Sequence, residues 1–159
     1  MKPTKILFLP ILSAVVLIFA GCGNDQQVTP LNEPVTSITI TGNDQMDFSP
    51  TRFIVPAGEE ITLTFQNIGS MPKERMGHNL AIIQGITANT FSSLSERFPG
   101  NEYIAPEYED HVIAATRVLG PGEEETITFT APSEPGEYPF VCSFPGHTSM
   151  GMVGVMVVE

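Results

Sequence analysis

The chain predicts an all-β domain, an antiparallel sandwich or barrel of about eight short strands. Three observations lead there. Apolar residues recur at every second position in several short runs. Gly, Pro and Asn-Asp clusters end each run after a few residues. The runs are rich in Thr, Val, Ile and Phe, which suit a half-buried pleated surface.

Taken in order, residues 37–41 alternate strictly and stop at Gly42-Asn43-Asp44. Residues 52–55 are a short apolar run closed by Pro56-Ala57-Gly58. Residues 60–66 place Ile61, Leu63 and Phe65 on one face. After His78, residues 79–83 continue as an apolar run. Residues 126–130 repeat the alternation after Pro121-Gly122, and residues 137–142 and 152–158 complete the set. In the last run Met152, Gly154, Met156 and Val158 share one face and Val153, Val155 and Val157 the other. Both faces are apolar, so the outward valines need a cover, from the polar segment 23–34 or from a partner.

Residues 87–98 depart from this pattern. Phe91, Leu94 and Phe98 recur at spacings of three and four, which predicts a short amphipathic helix ended before Pro99-Gly100. It forms a flap in the connection 84–110, which otherwise lacks a strand pattern. Tyr103 and Tyr108 are placed to pack that loop onto the sandwich.

The N-terminal residues belong to export rather than to the fold. Lys2 and Lys5 precede an apolar stretch, residues 6–20, interrupted by Pro10. A stretch of about 15 residues is short for a membrane span, which needs roughly 20. Phe19-Ala20-Gly21 puts small residues before Cys22, a pattern that resembles a bacterial lipoprotein signal with the cysteine acylated. An uncleaved anchor or a plain secretory signal would also export the domain. Residues 1–22 are therefore read as signal, 23–34 as a polar tether with two prolines, and 35–159 as one domain. The tether would span about 20 Å on average and about 40 Å at full stretch. The expected location is the periplasm or the cell surface, on a lipid anchor.

Removal of the signal leaves five cationic side chains against 18 acidic ones. Nucleic acid and anionic membrane surfaces are poor partners for such a domain. About 125 residues are enough for one domain with its own core. The only other cysteine, Cys142, has no disulfide partner if Cys22 is lipidated. A free thiol in an oxidising compartment needs a reason, either deep burial or metal ligation.

Its neighbours favour a metal. Cys142-Ser143-Phe144-Pro145-Gly146-His147 is followed by Met150 and Met152, and a second histidine, His78, lies upstream in Met76-Gly77-His78-Asn79. Taken singly, each has a plainer reading as a loop histidine, core filler or buried thiol. Together, two imidazoles, one thiolate and one thioether form a donor set suited to copper cycling between Cu(I) and Cu(II), with the thioether as a long axial ligand. Phe144-Pro145-Gly146 turns the chain so that His147 returns beside Cys142. Gly77 leaves its backbone free to approach the metal closely. Met71, Met76, Phe144, Pro145 and Met150 cluster around these segments and form a candidate apolar docking patch.

These segments resemble the cupredoxin family of type 1 blue copper proteins, and within it the azurins and auracyanins. The resemblance rests on residues 71–79 and 142–147, with further similarity over 111–120, and covers roughly 35–159. It implies an eight-stranded Greek-key sandwich with a helical flap and one copper per domain. It implies metal ligation by His78, Cys142, His147 and Met152, with a weak contact from the Gly77 carbonyl. Met152 is preferred to Met150 because it directly precedes Val153-Gly154, which match the start of the family's last strand. The resemblance gives Asn79 the role of bracing the ligand loop, and makes the His147 ring edge the port for electrons. It implies redox partners such as cytochromes or membrane electron-transfer complexes. The azurin-type N-terminal disulfide is missing, and the 91–108 loop has its own sequence.

The expected function is electron carriage by a membrane-tethered protein. The alternative is an exported copper-binding or trafficking protein, which would need exposed, labile ligands. An enzyme is not expected, because the full donor set leaves little coordination for substrate and no second histidine cluster is present.

Overall fold

The computed structural model describes residues 33–159. The signal, its Cys22 and all but the end of the tether lie outside the described residues. The chain forms β1 (Ser37–Gly42), β2 (Phe48–Ser49), β3 (Arg52–Val55), β4 (Glu60–Asn67), helix α1 (Lys73–Met76), β5 (Ala81–Ile83), helix α2 (Ala88–Ser95), β6 (Val112–Ala115), β7 (Glu124–Thr130), β8 (Gly136–Val141) and β9 (Val153–Val158). Short 3-10 turns occupy Pro99–Asn101, Pro106–His111 and Thr148–Met150.

The strands make two sheets, ordered β2-β1-β4-β7 and β3-β9-β8-β5-β6. The expected alternation sets the inner faces. Ile40 stands beside Phe65, Leu63 beside Ile127, and Phe53 beside Met156. Apart from Ile127, which packs half-buried against them, these side chains join Ile61, Phe140 and Phe48 in one buried cluster between the sheets. The Phe48 and Phe140 rings lie 5.1 Å apart. Gly154 faces Phe140 across β8 and β9, where a Cβ would overlap the ring, so the aromatic packs on bare backbone.

Two strand pairs are parallel, β1 with β4 and β3 with β9, which corrects the all-antiparallel expectation. Side-chain alternation is blind to strand direction. The chain places β3 in the opposite sheet before β4 returns beside β1, and this crossover lets the two run the same way. Two further elements were not expected as strands. Strand β2 has only two residues, and β6 is half-buried along its whole length, so neither shows a period of two.

The expected helix forms over a shorter span, Ala88–Ser95. The Thr87 side chain caps it by accepting from the Thr90 N–H. Phe98 lies beyond it, at the start of the next turn. Phe91 lies in a second buried cluster with Ala81, Ile83 and Val141, so α2 covers the outer face of the five-stranded sheet. Tyr108 packs on Phe91 at 6.1 Å, and Tyr103 packs on Phe144 at 5.1 Å, as the loop reading anticipated. On β9, Val157 is buried, Val155 half-buried and Val153 exposed, so the outward valine row is covered at one end only.

Candidate metal centre

His78 follows α1 and precedes β5. It is fixed by a two-bond bridge: its N–H donates to the Leu119 carbonyl at 3.1 Å, and the Leu119 N–H donates back at 2.7 Å. The neighbouring Gly77 is extended, and a Cβ there would lie 2.6 Å from Val118 Cγ1 and 2.7 Å from the Lys73 carbonyl. Glycine is required at 77 for space rather than for an unusual φ.

Cys142 follows directly on β8, on the face that carries Phe140 into the main core. Gly146, at φ +83°, allows the turn that brings His147 back, and the His147 N–H donates to the Phe144 carbonyl at 3.1 Å. The Met152 N–H donates to the His147 carbonyl at 3.0 Å, and the Met152 carbonyl accepts from the Cys142 N–H at 3.2 Å. One short loop thus holds three of the sequence-predicted residues by its own backbone.

The donor atoms converge. His78 Nδ1 and His147 Nδ1 are 3.1 Å apart. Cys142 Sγ lies 3.4 Å from His147 Nδ1 and 3.8 Å from His78 Nδ1. Donors each about 2.0–2.3 Å from a shared first-row ion sit about 3–4 Å from one another, so these three fit a single ion. All three residues are buried, and they are the one such grouping of His, Cys, Asp and Glu among the described residues. The third histidine, His111, is remote and holds the Gln84 carbonyl instead.

Burial sets the protonation of the three donors. The Cys142 thiol is pushed up to about 12 by desolvation, against a lowering effect of the Asn79 and Phe144 backbone N–H groups. His147 is pushed down to about 4 by desolvation and then by His78. His78 is also held below the ordinary histidine range by desolvation, opposed by the Asn43 backbone and the Asp44 carboxylate. Its Nε2 is buried without a hydrogen bond of regular geometry. At neutral pH the metal-free site is therefore two neutral imidazoles beside a neutral thiol. Such a pocket suits a cation that displaces one proton.

The methionines divide by burial. Met152 is fully buried, whereas Met150 is 69% exposed. Of the expected apolar patch, Pro145 and Met150 are exposed, Met71 and Met76 half-buried, and Phe144 mostly covered. The Phe144 ring lies 4.8 Å from that of His147, which is itself only 3% exposed.

Asn79 links the two ligand segments. Its Oδ1 accepts from the Ser143 N–H at 2.9 Å, and its Nδ2 donates to Ser143 Oγ at 2.9 Å and to the Glu102 carbonyl at 2.8 Å. Sequence reasoning missed several of these partners. Glu102 and Tyr103 both adopt left-handed backbone, at φ 50° and 57°. Glu102 also accepts from the Val118 N–H through Oε2 at 2.6 Å, so the flap loop is tied to the site twice. Thr148, which bonds the Cys142 carbonyl, and Ser92, which bonds Thr148, gave no signal beyond Thr148 following His147.

The comparisons with known proteins agree with this geometry. Residues 35–159 match the model for copper binding proteins of the plastocyanin/azurin family. The chain is 31% identical over 138 residues to azurin of Pseudomonas aeruginosa, covering 82% of this chain and 89% of that protein. It is 33% identical over 123 residues to outer membrane protein H.8 of Neisseria meningitidis, covering 76% and 67%. Among solved structures, reduced auracyanin from Roseiflexus castenholzii matches with a TM-score of 0.68 at 35% identity, over 80% of this chain and 99% of that one. Auracyanin A of Chloroflexus aurantiacus, a "blue" copper protein, matches with a TM-score of 0.68 at 27% identity, over 80% and 100%. A sandwich of this topology, a buried Cys/His/His cluster and these relatives together make the chain a member of the plastocyanin/azurin family of copper-binding proteins, the cupredoxins, with copper as its cofactor.

Proposed function

We propose that this chain is an exported, membrane-tethered carrier of single electrons. His78, Cys142, His147 and Met152 would hold one copper, with the Gly77 carbonyl as a weak contact. The observation that carries this reading is the convergence of three donor atoms within 4.8 Å of one another in a buried pocket. When bound, copper supplies one-electron chemistry by alternating between Cu(I) and Cu(II).

The chain's own part is to hold one donor geometry for both oxidation states. The His78–Leu119 bridge, the Asn79–Ser143 pair and the Met152 backbone bonds restrain the ligand segments from three sides. Full burial of Met152 favours it over Met150 as the axial donor. Electrons would pass at the edge of His147, where Phe144 excludes water and Pro145, Met150, Met71 and Met76 offer an adaptable apolar surface to a partner. Redox proteins such as cytochromes or membrane electron-transfer complexes fit that role. The donors would all be occupied, so the chain would act as a carrier and not as an enzyme.

Residues 1–22 would serve as a lipoprotein signal with Cys22 acylated, and 23–34 as the tether of the 35–159 domain. The relative named as an outer membrane protein supports an envelope location. Among the described residues no helix is long and apolar enough to cross a membrane. Copper trafficking is the less favoured reading, because His78, Cys142, His147 and Met152 are at most 3% exposed and labile release needs accessible ligands.

The purified chain loaded with Cu(II) should show an intense visible thiolate-to-copper band and be reduced and reoxidised by one electron. Cys142→Ser should abolish the band. A colourless copper complex of the unmodified chain would overturn the reading.

A further inference from the structure

A line of hydroxyl groups runs from helix α2 to the backbone of Cys142. Thr148 Oγ1 donates to the Cys142 carbonyl at 2.8 Å, and Ser92 Oγ lies 2.6 Å from Thr148 Oγ1. Both residues are buried, at 6% and 8% exposure. The outer end borders a cavity of about 390 Å³ between α2 and the ligand loop, lined in part by Ser92, Ser93, Glu96 and Ser149.

The proton count fixes the direction of this line. A hydroxyl has one proton, and that of Thr148 is used on a carbonyl, which cannot donate. Ser92 must therefore donate to Thr148, giving Ser92 O–H to Thr148 O–H to Cys142 C=O. Consecutive donors polarise one another, so the first bond strengthens the second. The second bond joins the residue after His147 to Cys142 itself. It closes the ligand loop independently of the backbone bonds and orients the peptide that follows the thiol-bearing carbon.

We propose that Thr148 is a positioning residue for the copper-binding thiolate, and that Ser92 sets the strength of its hydrogen bond from helix α2. Helix α2 thereby acts on the metal site through Thr148 alone, beside the ties that Glu102 makes to Asn79 and Val118.

The inference rests on the copper reading above, and the test separates the two. The full chain is loaded with Cu(II) as wild type, Thr148→Val, Thr148→Ser, Ser92→Ala and the Ser92→Ala/Thr148→Val double variant. Reduction potential, visible spectrum and Cu(II) affinity are measured for each. Thr148→Val should lose about 10–100-fold in affinity, the usual effect of removing a hydrogen bond behind a metal ligand, and its potential should move away from the wild-type value. Thr148→Ser should restore both. Ser92→Ala should show a smaller change in the same direction, and the double variant should match Thr148→Val, because Ser92 acts only through Thr148. If Thr148→Val does not fold, Ser92→Ala against Ser92→Thr carries the test, with the potential changed in the first and kept in the second. A wild-type chain lacking the intense band would sink the copper reading itself. A normal wild-type band with potentials unmoved by these changes, or additive effects in the double variant, would overturn the relay alone.

Discussion

Asn79 and Ser143, each the residue directly after a metal-site side chain, hold one another by two hydrogen bonds. The Ser143 N–H donates to Asn79 Oδ1 at 2.9 Å, and Asn79 Nδ2 donates to Ser143 Oγ at 2.9 Å. The positions are 64 residues apart in the chain and both fully buried. The distance between His78 and Cys142 is therefore set by a neutral polar clasp rather than by the metal alone.

Asn79→Ala should cost about 2–4 kcal/mol of stability, since it leaves buried Ser143 and Glu102 groups without partners. Copper affinity should fall by about 10–100-fold. Denaturant unfolding of the metal-free protein and competitive copper titration check the two effects separately. Unchanged values in both would mean that the clasp is not holding the site.

The metal-free protein should be most stable between about pH 6.5 and 9. With His147 pushed down to about 4, the unfolded chain binds a proton that the folded chain does not as pH falls from 6.5, so stability drops with acid. With the Cys142 thiol pushed up to about 12, the unfolded chain loses a proton that the folded chain keeps as pH rises above 9, so stability drops with base. The acid arm alone is worth about 2–4 kcal/mol. Thermal unfolding from pH 4 to 10 should trace a dome, and Cys142→Ala should remove its alkaline side.

Copper uptake should release one proton per ion near neutrality. The imidazoles are already neutral there, while the thiol is protonated up to about 12 and must ionise to bind. Apparent affinity should rise about tenfold per pH unit from pH 7 to 9. Proton release measured in weakly buffered solution gives the count directly, and a count of zero would contradict a thiolate ligand.

The two methionines should separate cleanly. Met150, 69% exposed, should be replaceable by Ala within about 0.5 kcal/mol and without spectral change, while electron exchange with a protein partner slows. Met152, fully buried, should cost about 2–5 kcal/mol on truncation to Ala and alter the visible band. Stopped-flow electron transfer and unfolding curves distinguish the outcomes.

Gly154 and Gly77 offer a matched pair of tests. Gly154→Ala forces a Cβ into the Phe140 ring and should cost about 1–3 kcal/mol with the copper spectrum kept. Gly77→Ala pushes on Val118 and the Lys73 carbonyl beside His78, and should disturb the spectrum as well as the stability. Melting curves and spectra recorded on the same samples would separate the effects.

The residue chemistry of the site was legible because it is local and the donor types are few. Cys142, His147 and the following methionines fall within eleven residues, and a free thiol beside an imidazole has a narrow set of uses. The strands were legible wherever one face is buried and the other wet, as in β4 with Ile61, Leu63 and Phe65 inward. Strand β6 was not, because its side chains are half-buried on both faces and carry no period. Strand direction was not, because alternation is the same read either way, and only the crossover between sheets makes β1 and β4 parallel. The chain itself thus pointed to the candidate donors. Tertiary structure alone decided which methionine is enclosed, that Asn79 clasps Ser143, and that Ser92 reaches Cys142 through Thr148. Those relations join residues far apart in sequence, and no pattern of neighbours carries the geometry of a contact that exists only after the sheets have packed.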